Sequence, residues 1–121
     1  MNSFIYNSKE DLKKELHNRI KNRNTQEVKN ILDYAVENKI ILDLNEKDIN
    51  IWYPLLDAIF INNIKMVQFL IDYANKNNII LILNRKNGNG WNPLLRATSY
   101  NNIEIVKLLI DYANKNKIIF E

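Results

Sequence analysis

Asn102-Ile103-Glu104-Ile105-Val106-Lys107-Leu108-Leu109-Ile110-Asp111-Tyr112-Ala113-Asn114-Lys115-Asn116 decides how this chain is read, because it recurs. Thirty-nine residues earlier stands Asn63-Ile64-Lys65-Met66-Val67-Gln68-Phe69-Leu70-Ile71-Asp72-Tyr73-Ala74-Asn75-Lys76-Asn77. Another 39 back a looser copy runs from Asn24 to Ala35. Asp33, Asp72 and Asp111 fall in register, and so do Tyr34, Tyr73 and Tyr112. A fixed period of this size marks a stacked repeat protein, in which no unit can bury its apolar face alone.

Around each copy the local signals agree. Ser8 followed by Asp11 starts a first helix whose Leu12, Leu16 and Ile20 make one narrow apolar stripe. Asn24 or Thr25 caps a second, with Val28, Ile31, Leu32, Ala35 and Val36 inward. Pro54 and Pro93 sit where a first helical residue costs no hydrogen bond, so each opens a short helix. Asn63 and Asn102 cap the longer helices that follow. Ile40 to Leu44 and Ile79 to Leu83 are short, rich in β-branched residues and partly alternating, and read as extended. Asn87-Gly88-Asn89-Gly90 supplies tight-turn chemistry, since both glycines accept positive φ.

Composition closes several routes. The 121 residues fit one domain, and 46% hydrophobic with 26% charged residues is ordinary for a globular chain. Without cysteine there is no disulfide, thiolate nucleophile or cysteine zinc site, and one histidine (His17) leaves no imidazole pair. The phosphate-loop spacing is absent around Gly88 and Gly90. No catalytic residue, cofactor or metal is expected. The N-terminus lacks a secretory pattern and no apolar run could span a bilayer, so the expected location is the cytoplasm. A net charge of +3 permits attraction to acidic partners, yet acidic and basic residues are interspersed rather than striped.

Short helix, turn, longer helix and extended finger is an arrangement that resembles the ankyrin repeat family. Asn92-Pro93-Leu94-Leu95-Arg96-Ala97 matches the family's T-P-L-H-x-A, and Asn101 to Ile110 matches its second helix; Pro54 to Ile71 repeats the match. The resemblance covers roughly residues 8 to 121. It implies an all-α helix-turn-helix solenoid with short extended β-finger segments in a single domain. Repeat 1 would run about 8–45 as a degenerate N-terminal cap, repeat 2 about 46–84, and repeat 3 about 85–121, ending mid-repeat. The period exceeds the usual value of about 33. Tyr53 or Asn92 replaces the usual threonine and Leu56 or Leu95 the usual histidine, which trades side-chain hydrogen bonds for apolar burial. Asn62 and Asn101 stand where the family has glycine, and asparagine is the next-best left-handed cap.

The resemblance further implies a non-catalytic scaffold binding a protein partner on a concave face of fingers and short helices. Trp52 and Trp91, one period apart, fall toward that side, either as partner anchors or as covers for the helix pair below. Phe60, Ile61, Ser99 and Tyr100 occupy its variable positions, and Arg85 and Lys86 lie near a finger tip, setting charge preference or forming a solvated rim. Asp57 and Arg96 are expected to pair across the repeat interface. Nucleic-acid or anionic-surface binding is the alternative, and membership in a longer structural array the third reading. A third unit lacking a polar outer face leads to an expectation of end-to-end association.

Overall fold

The computed structural model describes residues 8–47 and 53–119. Its helices are α1 (Lys9–Lys21), α2 (Thr25–Glu37), α3 (Pro54–Phe60), α4 (Ile64–Lys76), α5 (Pro93–Ser99) and α6 (Ile103–Lys115). They pair as α1 with α2, α3 with α4 and α5 with α6. The pairs stack so that α1, α3 and α5 form one layer and α2, α4 and α6 the other. This is the all-α solenoid.

Five of the six described helices begin where the sequence provides a side-chain acceptor. Ser8 Oγ takes the Asp11 N–H at 3.1 Å, and Asn24, Asn63 and Asn102 take those of Glu27, Met66 and Ile105, each at 3.1 Å. Pro54 and Pro93 open α3 and α5. The residues before them divide the expected trade. Tyr53 gives no side-chain cap and is buried, whereas Asn92 keeps one, its Oδ1 accepting from Leu95 N at 2.9 Å.

Short turns follow α1, α3 and α5, and each uses one left-handed residue: Arg23 at φ 62°, Asn62 at 61° and Asn101 at 55°. Around Asn62 the closing bonds are Asn63 N to Ala58 O at 3.1 Å and Asn62 N to Ile59 O at 2.9 Å, which satisfy the last carbonyls of α3. Lys39, Asn78 and Lys117 repeat the device after α2, α4 and α6. In the Asn87–Gly90 turn only Gly90 takes positive φ, at 84°, and not both glycines.

The core runs through the stack. Leu12, Leu16 and Ile20 of α1 join Val28, Ile31, Leu32 and Ala35 of α2. Leu55, Leu56, Ala58 and Ile59 fill the middle, flanked by Met66, Val67, Leu70 and Ala74. Val36 departs from its helical pattern and is 40% exposed.

The extended segments do not pair as strands among the described residues. They are held by side chains of the next repeat. The Tyr73 hydroxyl accepts from Leu42 N at 3.0 Å and donates to Ile40 O at 2.9 Å. One period on, the Tyr112 hydroxyl accepts from Leu81 N at 3.0 Å and donates to Ile79 O at 3.2 Å. Each phenol thus supplies the donor and the acceptor that a neighbouring strand would have supplied. Asparagines link successive segments in the same way. Asn45 donates to Ile80 O and accepts from Ile82 N, both at 2.8 Å, and Asn84 donates to Ile119 O at 2.9 Å. Leu42, Leu44, Leu81 and Leu83 point inward, while Ile41 and Ile80 point out.

Candidate interaction surface

The side of the stack that carries α3 and α5 brings three of the singled-out residues, Phe60, Trp91 and Tyr100, together. Its centre is Arg96 on α5. The guanidinium carbon lies 4.1 Å from the Phe60 ring centroid, 4.2 Å from that of Tyr100 and 4.9 Å from that of Trp91. Arg96 Nη2 donates to the Tyr100 hydroxyl at 2.7 Å, and that hydroxyl donates to the Phe60 carbonyl. Three ring faces around a delocalised cation make a favourable electrostatic packing unit that spans two repeats. The expectation had been an ion pair between Arg96 and Asp57. Asp57 is in fact buried, and the contacts that define Arg96 are aromatic.

Trp91 is half-buried, and its position follows from the turn before it. Asn87 is buried, and its Oδ1 accepts from Asn89 N at 2.9 Å and Trp91 N at 3.0 Å. Its N–H donates to Trp91 O at 2.8 Å, so both backbone groups of Trp91 are fixed. Phe60 and Ile61 are half-buried, whereas Ser99 and Tyr100 are exposed. Trp52 lies outside the described residues.

The finger tips are latched rather than loose. Arg85 is half-buried, its guanidinium 4.4 Å over the Tyr53 ring and donating to the Asn45 carbonyl. The Tyr53 hydroxyl donates to Arg85 O at 2.8 Å. Burial pushes the Tyr53 phenol up to about 12, with the Arg85 charge partly offsetting it. Burial likewise raises Tyr73 and Tyr112, partly offset by the N–H each accepts. At the preceding finger Glu46 pairs with Lys13 at 2.6 Å, and that hydrogen bond raises the Lys13 pKa. Lys86 is exposed. Sequence reasoning gave Tyr53 to apolar burial and Asn87 to a turn without their hydrogen bonds, and it passed over Asn45, for which the recurrence of Asn at 45 and 84 was the available signal.

Among the described residues no group of His, Asp or Glu side chains gathers as metal ligands, and no helix is long and apolar enough to cross a membrane. A groove of about 120 Å³ between α2 and α4 is lined by apolar Leu32, Val36 and Phe69 together with charged Lys29, Asp33 and Asp72. A comparison with curated proteins gave no match. A family model described as ankyrin repeats (3 copies) matches residues 16–119. Paired helices, left-handed turns at fixed spacing and one continuous core agree with that match over most of the chain's length, and the chain belongs to the ankyrin repeat family.

Proposed function

We propose that this chain is a non-catalytic scaffold that holds a protein partner on the side formed by the fingers, α3 and α5. Ankyrin repeats generally serve protein–protein interaction, and the observation that carries the finer reading is the Phe60–Trp91–Arg96–Tyr100 cluster. Aromatic and arginine side chains held in fixed rotamers lose little entropy on binding, and such groups dominate binding energy at interfaces. Ile61, Arg85, Lys86 and Ser99 belong to the same surface in this reading, Trp52 is assigned to it from the sequence register alone, and the cytoplasm is its proposed location.

The nucleic-acid alternative draws on the basic excess, but five of the 17 basic side chains are already engaged. Lys13, Arg19 and Lys29 pair with acids, at 2.6 Å to Glu46, 2.8 Å to Glu15 and 2.7 Å to Asp33, and Arg85 and Arg96 stack on rings. Immobilised wild type beside Trp91→Ala and Tyr100→Ala, exposed to cell extract, tests the main reading. A specific protein lost from both variants while helicity holds supports it, and an unchanged set of captured proteins overturns it. Binding of an RNA or DNA oligonucleotide that weakens steeply with salt would favour the alternative instead.

A further inference from the structure

Arg85 and Arg96 are held alike, and neither is neutralised. Arg85 lays its guanidinium carbon 4.4 Å over the ring of Tyr53, which precedes α3, and Arg96 lays its own 4.1 Å over Phe60, which ends it. Each gives an Nη2 hydrogen bond to a neutral oxygen, the Asn45 carbonyl in one case and the Tyr100 hydroxyl in the other. Each also has a buried Nε with no hydrogen-bond partner. Among the described residues no carboxylate forms an ion pair with either. Nearby, α5 carries no acid, Lys86 is exposed, and Asp57 on α3 is buried.

Stacking occupies the faces of these cations and leaves their charge. The rings fix the planar fork in one orientation and thin the water over it without supplying a counter-charge. The N–H groups that Asn45 and Tyr100 do not take have no acceptor among the described residues, and a carboxylate brings two oxygens in the matching plane. The spacing is also set. Tyr53 and Phe60 are seven residues apart, two helical turns, so their rings share one face of α3 about 10 Å apart along its axis. A polyproline-II-like peptide rises ~3.1 Å per residue with three residues per turn, which puts side chains three apart on one side at about 9 Å. A flat strand offers ~7 or ~13 Å on one face and fits less well.

Building on the reading of this side as the interaction surface, we propose that Arg85 and Arg96 form a paired carboxylate receptor. The partner presents an extended acidic segment of the pattern acid-x-x-acid along α3, one carboxylate to each guanidinium. Trp91 and Tyr100, with ring centroids 4.9 and 4.2 Å from the Arg96 guanidinium carbon, wall that end further. The pair made by Arg96 is therefore the less screened of the two.

A random peptide library displayed on phage, panned on the immobilised full chain, tests this without assuming a partner. Selected peptides are expected to carry two acids three residues apart. Synthetic copies are expected to bind about tenfold weaker when either acid is replaced by its amide. Arg85→Gln and Arg96→Gln are expected to weaken binding similarly with helicity retained, each cancelling the effect of amidating one acid and not the other. The peptide-side changes need no altered protein, so they decide the matter even where a variant unfolds. Selected peptides that need Trp91 and Tyr100 but bind equally well without acids would overturn the proposal and leave the surface assignment standing. So would acids at no fixed spacing. Peptides indifferent to Trp91→Ala and Tyr100→Ala, or a library that yields no binder, would sink both.

Discussion

Tyr73 and Tyr112 each do two things with one side chain. The ring fills the space between repeats, and the hydroxyl closes a donor and an acceptor of the preceding extended segment. The 39-residue spacing made the ring packing legible in the sequence. The hydroxyl was not legible, because its partners are backbone atoms 31 and 33 residues away. Tyr73→Phe keeps the ring and leaves Leu42 N without its acceptor. A loss of about 1–3 kcal/mol is expected in urea unfolding, with m unchanged. Tyr53 gives a pH signature. Its folded pKa, about 12, lies above the ordinary value near 10, so its contribution is complete below pH ~10 and is lost as pH rises toward 12. Tyr73 and Tyr112 add in the same direction. Denaturation midpoints followed from pH 7 to 12 are expected to fall above pH ~10, and less steeply in Tyr53→Phe. Arg96 resisted reading for a different reason. Register put it beside Asp57, but register says nothing of where a long, flexible side chain lays its end, and three rings competed for it.

At the scale of elements, the turns carry a testable asymmetry. Asn101 sits at φ 55°, where a Cβ is tolerated at a cost and glycine has none. Asn101→Ala is expected to destabilise by about 1 kcal/mol and Asn101→Gly to leave stability the same or slightly higher, as read by thermal melts of both variants. Caps, prolines and the left-handed turns at Asn62 and Asn101 were legible in the sequence because each depends on residues within one helix turn, whereas the left-handed Arg23, Lys39 and Lys117 carry no such residue signal. The extended segments were only half legible. Alternation identified their shape, but whether a segment pairs as a strand depends on what lies beside it. Here that neighbour is a tyrosine hydroxyl and an asparagine amide rather than another strand. Helix position in the stack sets how much a residue matters. Leu56 and Leu95 are the same residue in the same register, fully buried in one case and 46% exposed in the other. Leu56→Ala is expected to cost about 2–5 kcal/mol and Leu95→Ala under about 1 kcal/mol in chemical denaturation.

Across the whole molecule the stack is graded. The middle pair, α3 with α4, has neighbours on both sides, while α5 with α6 has one. Stability in such an array is close to a sum of unit and interface contributions, so the pair with one interface opens more easily. In native-state hydrogen exchange, the amides of α4 are expected to be the slowest and those of α6 to exchange faster at equal helix length. Uniform protection across both helices would contradict the grading. The period announced this architecture before any coordinate, since a repeated apolar face needs a repeated cover. What the period left open was chemistry at the finger side, where the fingers differ from one another: Lys13 with Glu46 at the first, Tyr53 with Arg85 at the second.

The tyrosine clamps also run in one direction along the chain. Residues 40–42 are completed by Tyr73 and residues 79–81 by Tyr112, so each connector is finished by a group made later. A ribosome adding roughly 5–20 residues per second would expose each connector for seconds before its hydroxyl arrives. During that interval the connector has open backbone groups that no later side chain has yet closed. The youngest connector is therefore the least finished part of the growing chain.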